Sequence, residues 1–310
     1  MGTQTNTRFS VRSHALRKAV RWLIKPILCG SASPQQRRTR LELVGRLSRL
    51  PLPRATSVEP TTLRGVAAEW IRNARVTPRR TVLYFHGGAY LMGSPATHRE
   101  MLARAAIAWQ AQVVSVDYRL APEHPFPAAP DDALAAYRAL LEQDIPAEQI
   151  VIAGDSAGGG LAVACALQAR DAGLPMPAAM VLFSPWVDLA VSGQSVDRLA
   201  GQDDMLSPQA LRESAATYLG GAATTTPLAS PICADLHGLP NTLIQASDNE
   251  ILLDDARRLL DGMHAAGSRA DLRAWHGLWH VWQLFAGKMP EADAALREVA
   301  GFLEHGAAGP

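Results

Sequence analysis

Gly154-Asp155-Ser156-Ala157-Gly158 sets one serine between two glycines, a spacing that suits a nucleophile held on a sharp turn. Such a turn forces a strained backbone angle on the serine and crowds the residues two before and two after it, so both must lack a side chain. The motif alone arises by chance, since Gly, Ser and Ala are common, and it gains meaning only from its context. Here Ile150-Val151-Ile152-Ala153 reads as a buried strand before it. The run from Leu161 to Leu167 reads as a helix after it, whose N-terminal amides face whatever Ser156 attacks.

A carbonyl attacked by a serine develops an oxyanion, which needs two or three amide donors. His86-Gly87-Gly88 follows the apolar strand Thr81-Val82-Leu83-Tyr84-Phe85. A glycine pair there lets the backbone approach a ligand closely. Gly87 and Gly88 are therefore the expected donors, with Ala157 as the third, and His86 is expected to fix the loop. For a base, Trp275-His276-Gly277-Leu278-Trp279-His280 offers two histidines in a loop. For an acid, the strand Thr242-Leu243-Ile244-Gln245-Ala246 is followed by two carboxylates, Asp248 and Glu250. Residue types alone leave both choices open.

These groups must be positioned by a sheet. Thr81–Phe85, Val113–Val116, Ile150–Ala153, Met180–Ser184 and Thr242–Ala246 are short apolar strands, and helical patterns such as Pro130 to Leu141 and Ala292 to Leu303 separate or follow them. That alternation predicts an α/β fold with a parallel sheet and right-handed crossovers, which gathers loops at the carboxyl ends of the strands. Pro122, Pro125 and Pro127 exclude helix and make a rigid connection after the second of these strands. Thr61 to Val76 loosely alternates, as a strand pair would, whereas residues 190–240 lack clean periodicity.

Residues 1–50 are basic and helical in pattern, broken at Gly30-Ser31-Ala32-Ser33-Pro34. Leu16, Val20, Leu23, Ile24 and Ile27 fall at helical spacing, which reads as a cap helix over a cleft, with contact at a membrane interface as the alternative. Arg21, Lys25 and Pro26 interrupt this stretch too early for a signal peptide, and it is too short to span a bilayer.

His86-Gly87-Gly88, Asp117-Tyr118-Arg119-Leu120-Ala121-Pro122-Glu123 and Gly154-Asp155-Ser156-Ala157-Gly158-Gly159, in this order, resemble the bacterial hormone-sensitive-lipase-like esterases (family IV carboxylesterases) of the α/β-hydrolase fold. The resemblance runs from about residue 60 to the C-terminus. It implies a mostly parallel central sheet flanked by helices, and a helical cap made of residues 1–50 and a segment at about 186–226, with residues 51–310 otherwise forming the catalytic domain. Chain order Ser, acid, His is implied as well. The family's pattern after the acid matches Glu250-Ile251-Leu252-Leu253-Asp254-Asp255, which selects Glu250 over Asp248, although aspartate is commoner there. The pattern Gly-x-x-His-x-(Phe or Trp) selects His280 over His276. The family usually has a third glycine where this chain has Ala89.

The implied function is a serine carboxylesterase for short-to-medium acyl esters, with lactones and acetylated small molecules within range, no cofactor or metal, and a homodimer as an option. The related plant gibberellin receptors keep the fold without turnover and lack the histidine, whereas His280 is present. Net charge of +1 gives no global case for nucleic acid. Three widely spaced cysteines, Cys29, Cys165 and Cys233, make no C-x-x-C pair and fit a reducing cytoplasm. Gly158-Gly159-Gly160 does not continue into G-x-G-x-x-G, because Val163 occupies the last place.

Overall fold

The structure, a computed structural model, describes the backbone of residues 3–5 and residues 10–305 in full. Strands β1 (Thr3–Thr5), β2 (Thr56–Leu63), β3 (Val66–Asn73), β4 (Arg80–Phe85), β5 (Ala111–Val116), β6 (Ile150–Asp155), β7 (Ala179–Phe183), β8 (Thr242–Ser247) and β9 (Ala270–Trp275) form one sheet. Their spatial order is β1-β9-β8-β7-β6-β4-β5-β3-β2. Helices α1 (Val11–Ala19), α2 (Lys25–Cys29), α3 (Pro34–Leu47), α4 (Pro95–Ala108), α5 (Ala128–Glu142), α6 (Ala157–Asp171), α7 (Gln194–Arg198), α8 (Pro208–Leu219), α9 (Leu253–Ala265) and α10 (Pro290–His305) accompany it.

Every pairing among β4 to β9 is parallel, and β3 is antiparallel to both β2 and β5. The expected strand pair at 61–76 is the β2–β3 hairpin. Arg64 and Gly65 at its tip have φ of 48° and 88°, the paired positive values of a two-residue turn that matches strand twist. All six residues of β6 are buried, as are all five of β7, which is why these strands read as apolar runs without alternation.

β4 has β5 on one side and β6 on the other, so the chain reverses its direction of winding at β4. Loops leaving the carboxyl ends of β4 and β6 must then diverge, and the crevice between them is where an open parallel sheet binds ligands. His86-Gly87-Gly88 and Ser156 are the residues that follow these two strands.

The N-terminal helices lie across that crevice. Between α1 and α2 a single π-helical turn, Val20–Ile24, widens the helix. Arg17 and Arg21 pair with the buried Asp204, and Lys25 donates to the Asp203 carbonyl. Arg38 on α3 donates to the Leu91 carbonyl at 2.6 Å and the Ala121 carbonyl at 2.7 Å, tying the helix to the loops after β4 and β5. Among the described residues no helix is long and apolar enough to cross a membrane.

Asp254 and Asp255 occupy the first turn of α9, where carboxylates favour the helix dipole. Asp255 is buried and turned inward, however, and accepts the amides of Val187 at 2.9 Å and Asp188 at 3.0 Å. Burial pushes its carboxyl up to about 8. Its folded value exceeds its unfolded one, so its contribution to stability is full below about pH 4 and is lost as pH rises through about 8. Asp255→Asn is therefore expected to flatten the decline of the urea midpoint across that window; an unchanged slope would contradict the assignment.

Candidate active site

Ser156 sits at the junction of β6 and α6 with φ 52° and ψ −121°, a conformation that costs an ordinary residue about 1–3 kcal/mol. Backbone hydrogen bonds to the end of β7 and the loop after it help hold it there. Its amide donates to the Phe183 carbonyl at 2.9 Å, and its carbonyl accepts from the Trp186 amide at 2.9 Å. The flanking glycines are required by contact: a Cβ on Gly154 would strike the Gly158 carbonyl, and one on Gly158 would strike the carbonyls of Phe85 and His86. The same absence of side chains lets the end of β4 approach the serine.

Asp155, directly before the serine, organises that approach. Its carboxylate accepts from the Tyr84 hydroxyl at 2.7 Å and from the Gly87 amide at 2.9 Å. His98 Nε2 lies 3.1 Å away, near enough for an ion pair but off the line of a straight hydrogen bond. Burial alone would lower the His98 value, and the Asp155 charge reverses this and raises it.

The Gly87 bond corrects the sequence expectation. An amide already donating to Asp155 is not free for an oxyanion, so Gly87 does not serve as a donor. Its lack of a side chain has another cause, since a Cβ would enter the Asp155 carboxylate. The amides of Gly88, Ala89 and Ala157 have no hydrogen-bond acceptor among the described residues. Gly88 and Ala89 line the same cavity as Ser156. Ala89 has φ 56°, which explains why glycine is the easier residue at this position. His86 fixes the loop as expected: Nδ1 lies 2.9 Å from the Gly87 carbonyl, and the ring stacks on Tyr118 at 4.3 Å. Burial pushes its value down to about 3, so it is uncharged at neutral pH.

Glu250 and His280 come together. His280 Nδ1 lies 2.7 Å from Glu250 Oε2, and both side chains are almost wholly buried. Glu250 Oε1 accepts the Ser247 amide at 2.9 Å, which aims the other oxygen at the imidazole. Asp248 is elsewhere, 2.8 Å from Nδ1 of the exposed His276 and accepting the Gly277 amide at 2.7 Å. The loop bearing His280 is pinned at its neighbour: Val281 has φ 52°, a true outlier for a β-branched residue, and its amide donates to Ser184 Oγ at 3.2 Å. Ser156 and His280 face one cavity without hydrogen-bonding to each other. Such contacts commonly tighten only when substrate is seated.

That cavity, about 260 Å³, runs from Ser156 and His280 up between the N-terminal helices. Leu16, Val20 and Ile24 line it from one side, Leu41 and Val44 from α3, and Met205 and Leu206 from the loop before α8. Tyr218 on α8 is not among the lining residues and stacks on Tyr90 at 3.8 Å.

One participant was not singled out from sequence. The buried Asp203 accepts the Ile251, Met205 and Leu206 amides, each at 2.8 Å. Burial raises its carboxyl. It thus joins the residue after Glu250 to the loop that Arg17, Arg21 and Lys25 grip. The Asp203-Asp204 pair, in an otherwise aperiodic stretch, was the available signal.

Comparison with known proteins matches residues 82–284 to a family described as alpha/beta hydrolase fold. An acetyl-hydrolase of Streptomyces hygroscopicus is 46% identical over 236 residues, 76% of this chain and 79% of that protein. An esterase of Acinetobacter venetianus is 36% identical over 271 residues, 87% of this chain and 88% of its own. The crystal structure of an esterase from the bacterial hormone-sensitive lipase family superposes with a TM-score of 0.92 at 39% identity, covering 97% of this chain and 100% of that one. The chain therefore belongs to the alpha/beta-hydrolase fold family and, within it, to the bacterial hormone-sensitive-lipase-like esterases.

Proposed function

We propose that this carboxylic ester hydrolase works through a Ser156–His280–Glu250 triad and an acyl-enzyme intermediate. The observation that carries the reading is the buried 2.7 Å pair of His280 and Glu250, facing the cavity that also holds Ser156 on its strained turn. His280 takes the Ser156 proton as Oγ bonds to the carbonyl carbon. The tetrahedral oxyanion receives hydrogen bonds from Gly88, Ala89 and Ala157. Collapse breaks the bond to the alcohol, which leaves with the proton from His280. Water then loses its proton to His280, attacks the acyl carbon, and the acid departs as Ser156 regains its proton. Glu250 fixes the tautomer and steadies the imidazolium in both halves.

The apolar cavity under the N-terminal helices suits the acyl chain of the ester. Residues 1–50 and about 186–226 then act together as one cap over residues 51–310, joined through Asp203 and Asp204. Free Cys29, Cys165 and Cys233 accord with a reducing cytoplasm. A homodimer is compatible with this arrangement, because no functional group has to come from a second chain.

Initial rates on p-nitrophenyl esters from acetate to palmitate test the substrate class. The expected profile peaks at short or medium chains and falls steeply toward palmitate; a maximum at palmitate would overturn it. A peak confined to acetate would favour the narrower acetyl-ester activity named for the Streptomyces relative.

The amide assignment has its own test. Gly88 has φ 126°, and a Cβ there would strike the Met92 carbonyl. Gly88→Ala is therefore expected to swing its amide out of line and lower kcat by roughly 10²–10³, the usual effect of one lost oxyanion donor. Wild-type kcat in a folded Gly88→Ala protein would remove Gly88 from the oxyanion site.

A further inference from the structure

The cap carries a second surface, on the side away from Ser156. Residues 1–50 hold eleven Lys and Arg against a single acidic residue, Glu42, whereas residues 51–310 hold 19 against 28. The near-neutral total conceals a strongly basic cap on an acidic body.

The same segment is apolar on its outside. Among the described residues, five of the six exposed large hydrophobic side chains lie there: Val11, Trp22, Leu23, Leu43 and Leu47. Trp22 is 75% exposed and Leu47 is 80% exposed. Val11, Lys18 and Trp22 recur seven and four residues apart, and Arg40, Leu43 and Leu47 three and four apart, so each helix shows an outer stripe mixing cations with large apolar groups. Arg12, Lys18, Arg40 and Arg46 are exposed and take no part in the ion pairs of Arg17, Arg21 and Arg38 that anchor the cap. The inner faces of these helices line the cavity, and Leu23, which is both cavity-lining and 59% exposed, marks where it opens onto this surface.

Charge decides what covers it. A second copy is a poor occupant: outside the cap its one exposed large hydrophobic among the described residues is Ile107, and cap against cap would set like charges together. Scattered Trp and Leu among unpaired cations is instead the pattern of a helix face lying in the headgroup layer of an anionic membrane. We propose that the outer face of the cap docks on the surface of an anionic phospholipid bilayer, with Trp22, Leu43 and Leu47 entering the headgroup region and the cavity opening toward lipid. The helices lie on the surface and do not span it.

Vesicle co-sedimentation of the full chain tests this directly. The protein is expected to sediment with vesicles of phosphatidylcholine and phosphatidylglycerol, to stay in solution with phosphatidylcholine alone, and to be released by salt. Trp22→Ala with Leu47→Ala, and separately Lys18→Glu with Arg46→Glu, are each expected to weaken partitioning about tenfold or more. Both double variants should hydrolyse a soluble p-nitrophenyl ester at the wild-type rate, which also shows that they are folded. Docking is independent of the triad, so Ser156→Ala should sediment like wild type. The proposal is overturned if wild type remains in solution with anionic vesicles, or if both double variants sediment unchanged. It is overturned too if light scattering shows that the Trp22 variant splits a dimer, since a second copy then covers the face. Heparin retention indifferent to Trp22 and Leu47, with no vesicle binding, would instead assign the surface to a soluble polyanion.

Discussion

Replacement of Ser156 by alanine is expected to lower kcat for short-chain esters by about 10⁴–10⁶, leaving the fold intact. In the proposed mechanism the hydroxyl oxygen forms the new bond, so no other group in the cavity substitutes for it. The residual rate comes from oxyanion donors and substrate positioning alone. Stability should change little: the strained backbone angle belongs to the turn, and Ser156 is held by its own amide and carbonyl, which alanine retains. Steady-state kinetics beside a urea melt checks both halves. A Ser156→Ala enzyme that hydrolyses esters within tenfold of wild type would remove the serine from the chemistry.

The second large effect is expected at Glu250→Gln. Glu250 uses one oxygen for the Ser247 amide and the other for His280 Nδ1. A glutamine has only one oxygen, so whichever way its amide turns, an N–H is set against a donor. If it faces His280, the imidazole is forced into the tautomer that cannot take the serine proton. If it faces Ser247, a buried backbone amide is left unpaired, at a cost of about 1–3 kcal/mol. We expect kcat to fall by about 10³–10⁴ with little change in KM. Asp248→Asn is the contrasting variant. Among the described residues the Asp248 side chain hydrogen-bonds to the exposed His276 and the Gly277 amide, so the variant's expected effects are at most about 1 kcal/mol in stability and a few-fold in rate. Loss of activity in Asp248→Asn with retention in Glu250→Gln would exchange their roles.

The parts of this molecule that were legible in its sequence are those fixed by local mechanics. Gly154 and Gly158 announce the serine turn because neighbouring backbone leaves no room for a Cβ at either place, whatever the rest of the chain does. β6 and β7 are recognisable because burial on both faces demands unbroken apolar runs. The choice between Glu250 and Asp248 was not local, and it came from a family pattern; in the fold Glu250, held by the Ser247 amide, is the carboxylate that lies against His280.

Gly87 was misjudged for a related reason. Two successive glycine amides look equivalent in a sequence, and only the placement of the Asp155 carboxylate takes one of them out of use. Asp203, Asp204 and Asp255 were equally hidden, because each acts on backbone or cations far along the chain. Asp203 and Asp204 lie in a stretch of short helices and loops with no period to reveal an inward face. Asp255 sits where any exposed helix-start carboxylate would, and its inward turn depends on the distant Val187–Asp188 backbone.

The most direct test of the central claim is peptide mass mapping after reaction with a p-nitrophenyl alkylphosphonate, which leaves a stable phosphonyl group on an activated serine. The account predicts one adduct per chain, on the peptide containing Ser156, formed in step with complete loss of esterase activity and absent in Ser156→Ala. An adduct on another residue, or full activity in a protein whose Ser156 is wholly modified, would contradict it.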